Sequence, residues 1–324
     1  MAKRSKTIGE GEPRKGNSAK STMMQSVVER PKPHAGEMIL CGLLILVLMT
    51  GTYCRNRIWN SKLELYTDCV KKSPNKDRPH NNLGNVFMDQ GKYQEAISHL
   101  NQALRINPNF AEAHNNLGNV FLNQGRYQEA ISHINEALRI DPHFAEAHNN
   151  LGNLFARQGD YEKAIPHLHK ALRINPNLAE AHNNLGNVFS KQGKDQEAIF
   201  HLNEAIQVNP NLAEAHNNLG NLFSKQGDYQ KAIVQYNKAL RINRNFAQAH
   251  NNLGNVFSMQ GNYQEAIYQY SEVLRIDPNL AGVHYNLGSA YLRIGNRGLA
   301  LKEYGILKVM NPDLANALYQ RMKE

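Results

Sequence analysis

From Asp77 onward, apolar residues recur with a helical period, and the whole pattern returns every 34 residues. In the unit Ala111 to Phe144, numbered from its first residue, positions 4, 7, 8 and 11 are His114, Leu117, Gly118 and Phe121. At about 100° per residue these fall on one side of a helix. A second stripe of the same kind, Ala130, Ile131, Ile134, Ala137 and Leu138, begins after Gly125 and stops at Asp141-Pro142. Glycine just past a helix end and proline beyond it are the two commonest stop signals. Each unit is therefore predicted to be an antiparallel helix pair joined by a three-residue turn.

Seven such units occupy residues 77–314. Leu-Gly recurs from Leu83-Gly84 to Leu287-Gly288, and a second glycine follows seven residues later, from Gly91 to Gly295. Proline closes every unit but the one ending near Arg244. A glycine inside a helix costs about 1 kcal/mol relative to alanine, so position 8 needs a packing reason. The expectation is that Gly118 faces the small Ala130 and lets the two backbones approach. Shifting by one repeat aligns Trp59 with Tyr93, Leu63 with Ile97 and Pro74 with Pro108, so 55–76 reads as an orphan second helix and linker. Residues 315–324 read as a polar capping helix.

Upstream the pattern changes twice. Residues 1–36 carry no apolar period and are rich in Lys, Arg, Ser, Gly and Pro, the composition of a disordered basic tail. Residues 37–54 contain the uncharged run Met38 to Tyr53, at the lower end of what a transmembrane helix needs. An uncleaved single-pass anchor is expected there. A signal peptide is the alternative, although no small-residue cleavage site follows. Lys20, Arg30 and Lys32 on one side face Arg55, Arg57, Lys62, Lys71 and Lys72 on the other, so charge leaves the orientation open. Cys41 and Cys54, in or beside the run, read as packing residues, with acylation as the alternative.

The net charge of +9 does not imply a nucleic-acid partner. Residues 1–37 hold eight basic and four acidic side chains, which leaves 29 basic against 24 acidic for the rest, a nearly balanced surface. Three cysteines give neither a disulfide framework nor a paired metal motif.

The pattern L-G-x-x-F/Y, G-x-Y-x-x-A and A-x-x-x-x-P at this period resembles the tetratricopeptide (TPR) family over residues 77–314. The resemblance implies an all-α fold, a right-handed superhelix with the first helix of each pair lining the inside. His stands at position 4 where the family has Trp or Tyr, and Asp195 and Arg297 replace the usual Tyr. The stretch Arg55 to Asn75 resembles the junction of multi-span, repeat-bearing O-mannosyltransferase-like membrane proteins, which implies repeats outside the cytoplasm and the tail inside.

Asparagine dominates one face of the first helices. Position 6 is Asn82, Asn116, Asn150, Asn184, Asn218, Asn252 and Asn286; position 9 is Asn85, Asn119, Asn153, Asn187, Asn221 and Asn255, then Ser289. These lie opposite the packing stripe, hence on the expected concave wall. Asparagine is a poor helix former, and its amide offers both donors and an acceptor to the main chain of an extended peptide. The ladder resembles the asparagine-lined groove of O-linked N-acetylglucosamine transferase; passive copying during duplication is the alternative. Glu112, Glu146, Glu180 and Glu214 at position 2 argue against a basic clamp for C-terminal carboxylates.

Histidines recur at position 4 (His80 to His284) and position 23 (His99, His133, His167 and His201). They are expected to pack the seams, because rungs about 10 Å apart cannot share a metal ion with ligands about 2 Å away. No nucleophile, phosphate loop or carboxylate pair stands out, so neither catalysis nor a cofactor is expected. The sequence reads as a membrane-anchored scaffold that binds proteins or peptides in its groove. A detached C-terminal part of a membrane glycosyltransferase system is the alternative, and self-association through the end units is a further expectation.

Overall fold

The computed structural model describes residues 61–323 and, upstream of them, residues 40, 43–46 and 49. Among the described residues no strand occurs. The first helices of the seven units are Asp77–Asp89, Ala111–Asn123, Ala145–Arg157, Ala179–Lys191, Ala213–Lys225, Ala247–Met259 and Ala281–Arg293. The second helices are Tyr93–Ile106, Tyr127–Ile140, Tyr161–Ile174, Asp195–Val208, Tyr229–Ile242, Tyr263–Ile276 and Arg297–Met310. A helix over Lys62–Lys72 precedes them and one over Pro312–Lys323 follows.

The turn inside each unit is built as its residues dictate. Gly125 adopts φ 73°, a left-handed conformation, and the amides of Gly125 and Arg126 donate to the carbonyls of Leu122 and Phe121 at 3.0 and 2.9 Å. The turn between units rests on another local device. The Asn107 side chain accepts from the Asn109 amide at 3.1 Å, and Asp141 does the same for His143 at 2.9 Å.

The close approach of the paired helices is real, but its partner is not the one expected from sequence. A Cβ built on Gly118 would lie 2.6 Å from Ile134 Cγ1, while Ala130 offers only its carbonyl, at 3.1 Å. Position 8 is thus vacant for the large side chain at position 24. Leu168 fills the same place against Gly152, and Tyr236 and Tyr270 fill it against Gly220 and Gly254. Around these contacts the alanines at positions 20 and 27 are fully buried, among them Ala130, Ala137, Ala164 and Ala171.

Each first helix touches its own second helix, and in units 1 to 6 successive first helices also touch one another, whereas second helices make no comparable contact among themselves. That asymmetry curves the stack and puts the first helices on the inner wall. At the C-terminal end, the Cβ place of Gly288 is taken by Leu318 of the last helix, whose Ala315, Leu318 and Met322 are buried. The helix Lys62–Lys72 buries no residue fully but packs on the first helix of unit 1.

Among the described residues no helix is long and apolar enough to cross a membrane. The run 37–54 is described only at Leu40, residues 43–46 and Met49, which are helical and exposed. The anchor expected there, the tail 1–36 and both Cys41 and Cys54 lie outside the described residues.

Candidate peptide-binding groove

The asparagines form two kinds of rung on the inner wall. At position 6 the amides of units 2 to 6 donate back to position 5 of the unit before. Asn116 Nδ2 reaches Asn81 Oδ1 at 2.9 Å, and Asn150, Asn184, Asn218 and Asn252 reach Asn115, Asn149, Asn183 and Asn217 at 2.9 to 3.0 Å. Position 5 is mostly buried between first helices, with Asn81, Asn115, Asn149 and Asn217 covered. Position 6 is half-buried throughout, from Asn82 to Asn286. The position-6 amides therefore tie neighbouring units together and present only their remaining N–H and carbonyl oxygen to the groove.

Position 9 differs along the array. Asn221 Oδ1 accepts from the Tyr236 hydroxyl and from Asn252 Nδ2, both at 2.8 Å. Asn255 accepts from Tyr270 at 2.8 Å and from Asn286 at 3.3 Å. Asn85 Oδ1 is buried without a partner. Asn119 and Asn153 are half-buried and Asn187 is exposed, and among the described residues their side chains make no hydrogen bond. These three amides, in units 2 to 4, are the ones available in full to a ligand.

Two further rows share this wall and were not singled out from the sequence as site residues. Positions 2, 6, 9 and 13 fall within one narrow stripe of the helix. Position 2 supplies exposed Glu146, Glu180 and Glu214 along one edge, and position 13 supplies exposed Arg157, Lys191 and Lys225 along the other. The signal is in the chain at spacing i, i+4, i+7, i+11, which sets positions 2 and 13 in line with the asparagine rows. Between units 4 and 5 the wall opens into a concavity of about 350 Å³ whose lining includes Asn187, Ser190, Lys191, Asn218, Asn221 and Lys225.

The histidines make seams, as expected, through a specific proton arrangement. Each position-4 ring places Nε2 against the carbonyl of the residue closing the preceding unit, from Pro74 at 3.1 Å to Pro278 at 3.0 Å. A carbonyl only accepts, so Nε2 carries a proton, and where the ring is neutral and faces a second imidazole, Nδ1 is the acceptor. In units 1 to 4 it receives the position-23 imidazole, with Nδ1 to Nδ1 distances of 3.1, 3.2, 3.3 and 3.1 Å. In units 5 and 6 Nδ1 faces the side-chain oxygens of Gln235 and Gln269 at 2.8 and 2.6 Å, and in unit 7 it faces Glu303 Oε2 at 2.6 Å; these oxygens accept, so there the ring donates from Nδ1. Burial holds His99, His133 and His167 below the usual imidazole range. His201 is pushed down to about 4 by burial, with the neighbouring His182 and His169 adding to the effect. Among the described residues no three His, Cys, Asp or Glu side chains converge on a point that a metal ion could occupy.

The chain matches the model of the TPR repeat family over residues 84–125, 118–159, 152–193, 186–227, 220–261 and 259–295, more than half of its length. It belongs to the TPR repeat family. Its fold is that of solved TPR scaffolds. A chain of the APC/C hetero-tetramer Cut9-Hcn1 is similar with a TM-score of 0.65 and 23% identity, over 72% of this chain and 46% of that one. PilF of Pseudomonas aeruginosa is similar with a TM-score of 0.58 and 25% identity, over 66% of this chain and 96% of that one. By sequence, protein O-mannosyl-transferase TMTC1 of Homo sapiens is 36% identical over 64 residues, 20% of this chain and 7% of the relative, and the Mus musculus protein matches equally. The aligned segment is thus a small part of those transferases. TPR arrays are generally non-catalytic scaffolds for protein–protein interaction, and the wall described above has the form of one.

Proposed function

We propose that this TPR array captures extended segments of partner proteins in its inner groove and holds them beside a membrane. The observation that carries the reading is the set of position-9 amides, Asn119, Asn153 and Asn187, which stand on the inner wall with no hydrogen-bond partner among the described residues. A helix gains nothing from such residues, whereas an extended main chain offers each of them a donor and an acceptor. The position-6 amides Asn116, Asn150, Asn184 and Asn218 add their remaining hydrogen-bonding capacity beside them. The membrane part of the reading rests on the uncharged run Met38 to Tyr53.

Because position 6 also ties units together, the informative substitutions are at position 9. The triple variant Asn119→Ala, Asn153→Ala, Asn187→Ala is expected to keep its helical circular dichroism and lose crosslinking from the groove to partners in native membranes. Full capture by a folded triple variant would remove the groove from the account. Extraction of the full chain by alkaline carbonate would remove the anchor. The match to the O-mannosyl-transferases favours a second reading, in which the array is a substrate-holding part of a membrane glycosyltransferase system. That reading expects co-purification with a multi-span transferase.

A further inference from the structure

We infer that the middle of the groove selects segments carrying both acidic and basic side chains, each recurring every third residue. This rests on the groove reading above and goes beyond it by naming the ligand chemistry. In units 3 to 5 the wall is a trough with an acidic edge and a basic edge. Glu146, Glu180 and Glu214 are exposed and make no ion pair or side-chain hydrogen bond among the described residues. Opposite them, across the asparagine rows, stand Arg157, Lys191 and Lys225. Positions 2 and 13 are eleven residues apart, so the edges are separated by about 16 Å along each first helix. A main chain lying over the amides sits midway, within reach of long side chains from either edge.

The concavity between units 4 and 5 shows how the basic edge would hold its group. Lys225 Nζ is positioned by Asp195 Oδ1 at 3.0 Å and remains 53% exposed. One unit earlier the register of Asp195 is occupied by uncharged Tyr161, and Lys191 makes no ion pair among the described residues. Asn221 has its oxygen occupied by Tyr236 and Asn252, which leaves its N–H groups as the part that faces a ligand. With Ser190 and the unpaired amide of Asn187, the concavity is rich in donors, and the ligand that satisfies it is the carboxylate of an acidic side chain.

The spacing chooses the backbone conformation. First helices pack about 8 to 10 Å apart, and a polyproline II segment advances about 9.3 Å per turn of three residues. Such a segment turns one row of side chains to each edge and the third row to the amides. A β-strand, with its two-residue alternation, falls out of step with the rungs.

The test titrates full-length, detergent-solubilised protein into labelled nine-residue peptides and reads fluorescence anisotropy. Three copies of Glu-Lys-Pro are expected to bind roughly tenfold tighter than three copies of Gln-Gln-Pro at low salt. The variant Glu146→Gln, Glu180→Gln, Glu214→Gln should lose that preference while binding Glu-Gln-Pro repeats unchanged, and Arg157→Gln, Lys191→Gln should show the converse with Gln-Lys-Pro repeats. Equal binding of charged and neutral peptides overturns the inference and leaves the groove reading standing. Tightest binding by a purely acidic or purely basic peptide also overturns it. Absence of binding by any of the peptides overturns both.

Discussion

At the residue scale, the histidine pairs convert seam packing into a pH dependence. A neutral pair holds a single proton between two Nδ1 atoms about 3 Å apart, and a second proton would set two positive charges against each other in a half-buried seam. The folded-state values of His99, His133, His167 and His201 lie below the ordinary imidazole value of 6.5, so the unfolded chain binds more protons in acid. Their contribution to stability is complete above about pH 6.5 and is lost as pH falls from there towards about 4, the value at His201. The acidic groups facing the pairs, Glu129 and Glu136 near His133 and Glu204 near His182, oppose the effect without reversing it. The thermal midpoint should therefore be flat between pH 7 and 8 and fall by several degrees between pH 6.5 and 4.5. His201→Gln, which copies Gln235, should shallow that fall; a midpoint unchanged from pH 8 to 4.5 would show that the pairs do not titrate in the folded array. The recurrence of these rings was plain in the sequence. That positions 4 and 23 meet at Nδ1 was not, because residues 19 apart on two helices meet only once the hairpin's crossing and rotation are set.

At the scale of the element, what the chain shows directly is whatever is decided within one or two turns. Gly125 as helix stop, the Asp141-Pro142 break and the apolar stripes all act locally, and the helices Ala111–Asn123 and Tyr127–Ile140 follow them. The partner of the position-8 glycine was beyond that range, since Gly152 and Leu168 sit on different helices. A Cβ on Gly152 would come within 2.6 Å of Leu168 Cγ, the branch point rather than a free end, so the leucine has to move as a whole. Gly152→Ala gains about 1 kcal/mol of helix propensity but overpacks the hairpin by about 1 to 3 kcal/mol, for a net loss of roughly 1 kcal/mol. Leu168→Ala alone should cost about 2 to 5 kcal/mol. Combined, the added methyl enters space the leucine has left, so the double variant should be more stable than the sum of the two by about 1 kcal/mol or more. Chemical unfolding of the four proteins measures the coupling, and strict additivity would mean that the glycine is not kept for this contact.

At the scale of the whole molecule, the array is nearly one-dimensional, and its register decides what survives a large change. Each unit touches only its neighbours, and the amide ladder joins them through residues that repeat one unit apart. Removing residues 179–212 deletes one entire unit and brings Leu178 to Ala213 across a junction of the same sequence. Asn218, which now donates to Asn183, would find Asn149 in the same place once Asn184 is gone. Gly220 would keep Tyr236, because that contact lies within one unit. The shortened chain is therefore expected to fold with unchanged helicity per residue and a single cooperative transition, its midpoint lowered by only a few degrees for the lost seam. The groove should fare worse than the fold. Lys225 would lose Asp195 and stand in register with Tyr161, and the concavity lined by Asn187, Ser190 and Lys191 would disappear. A deletion variant that is folded by circular dichroism but no longer prefers peptides carrying both charges would separate the two roles of these helices. The repeat-wide pattern would then account for the fold, and the charged edges and concavity of units 3 to 5 for the choice of ligand.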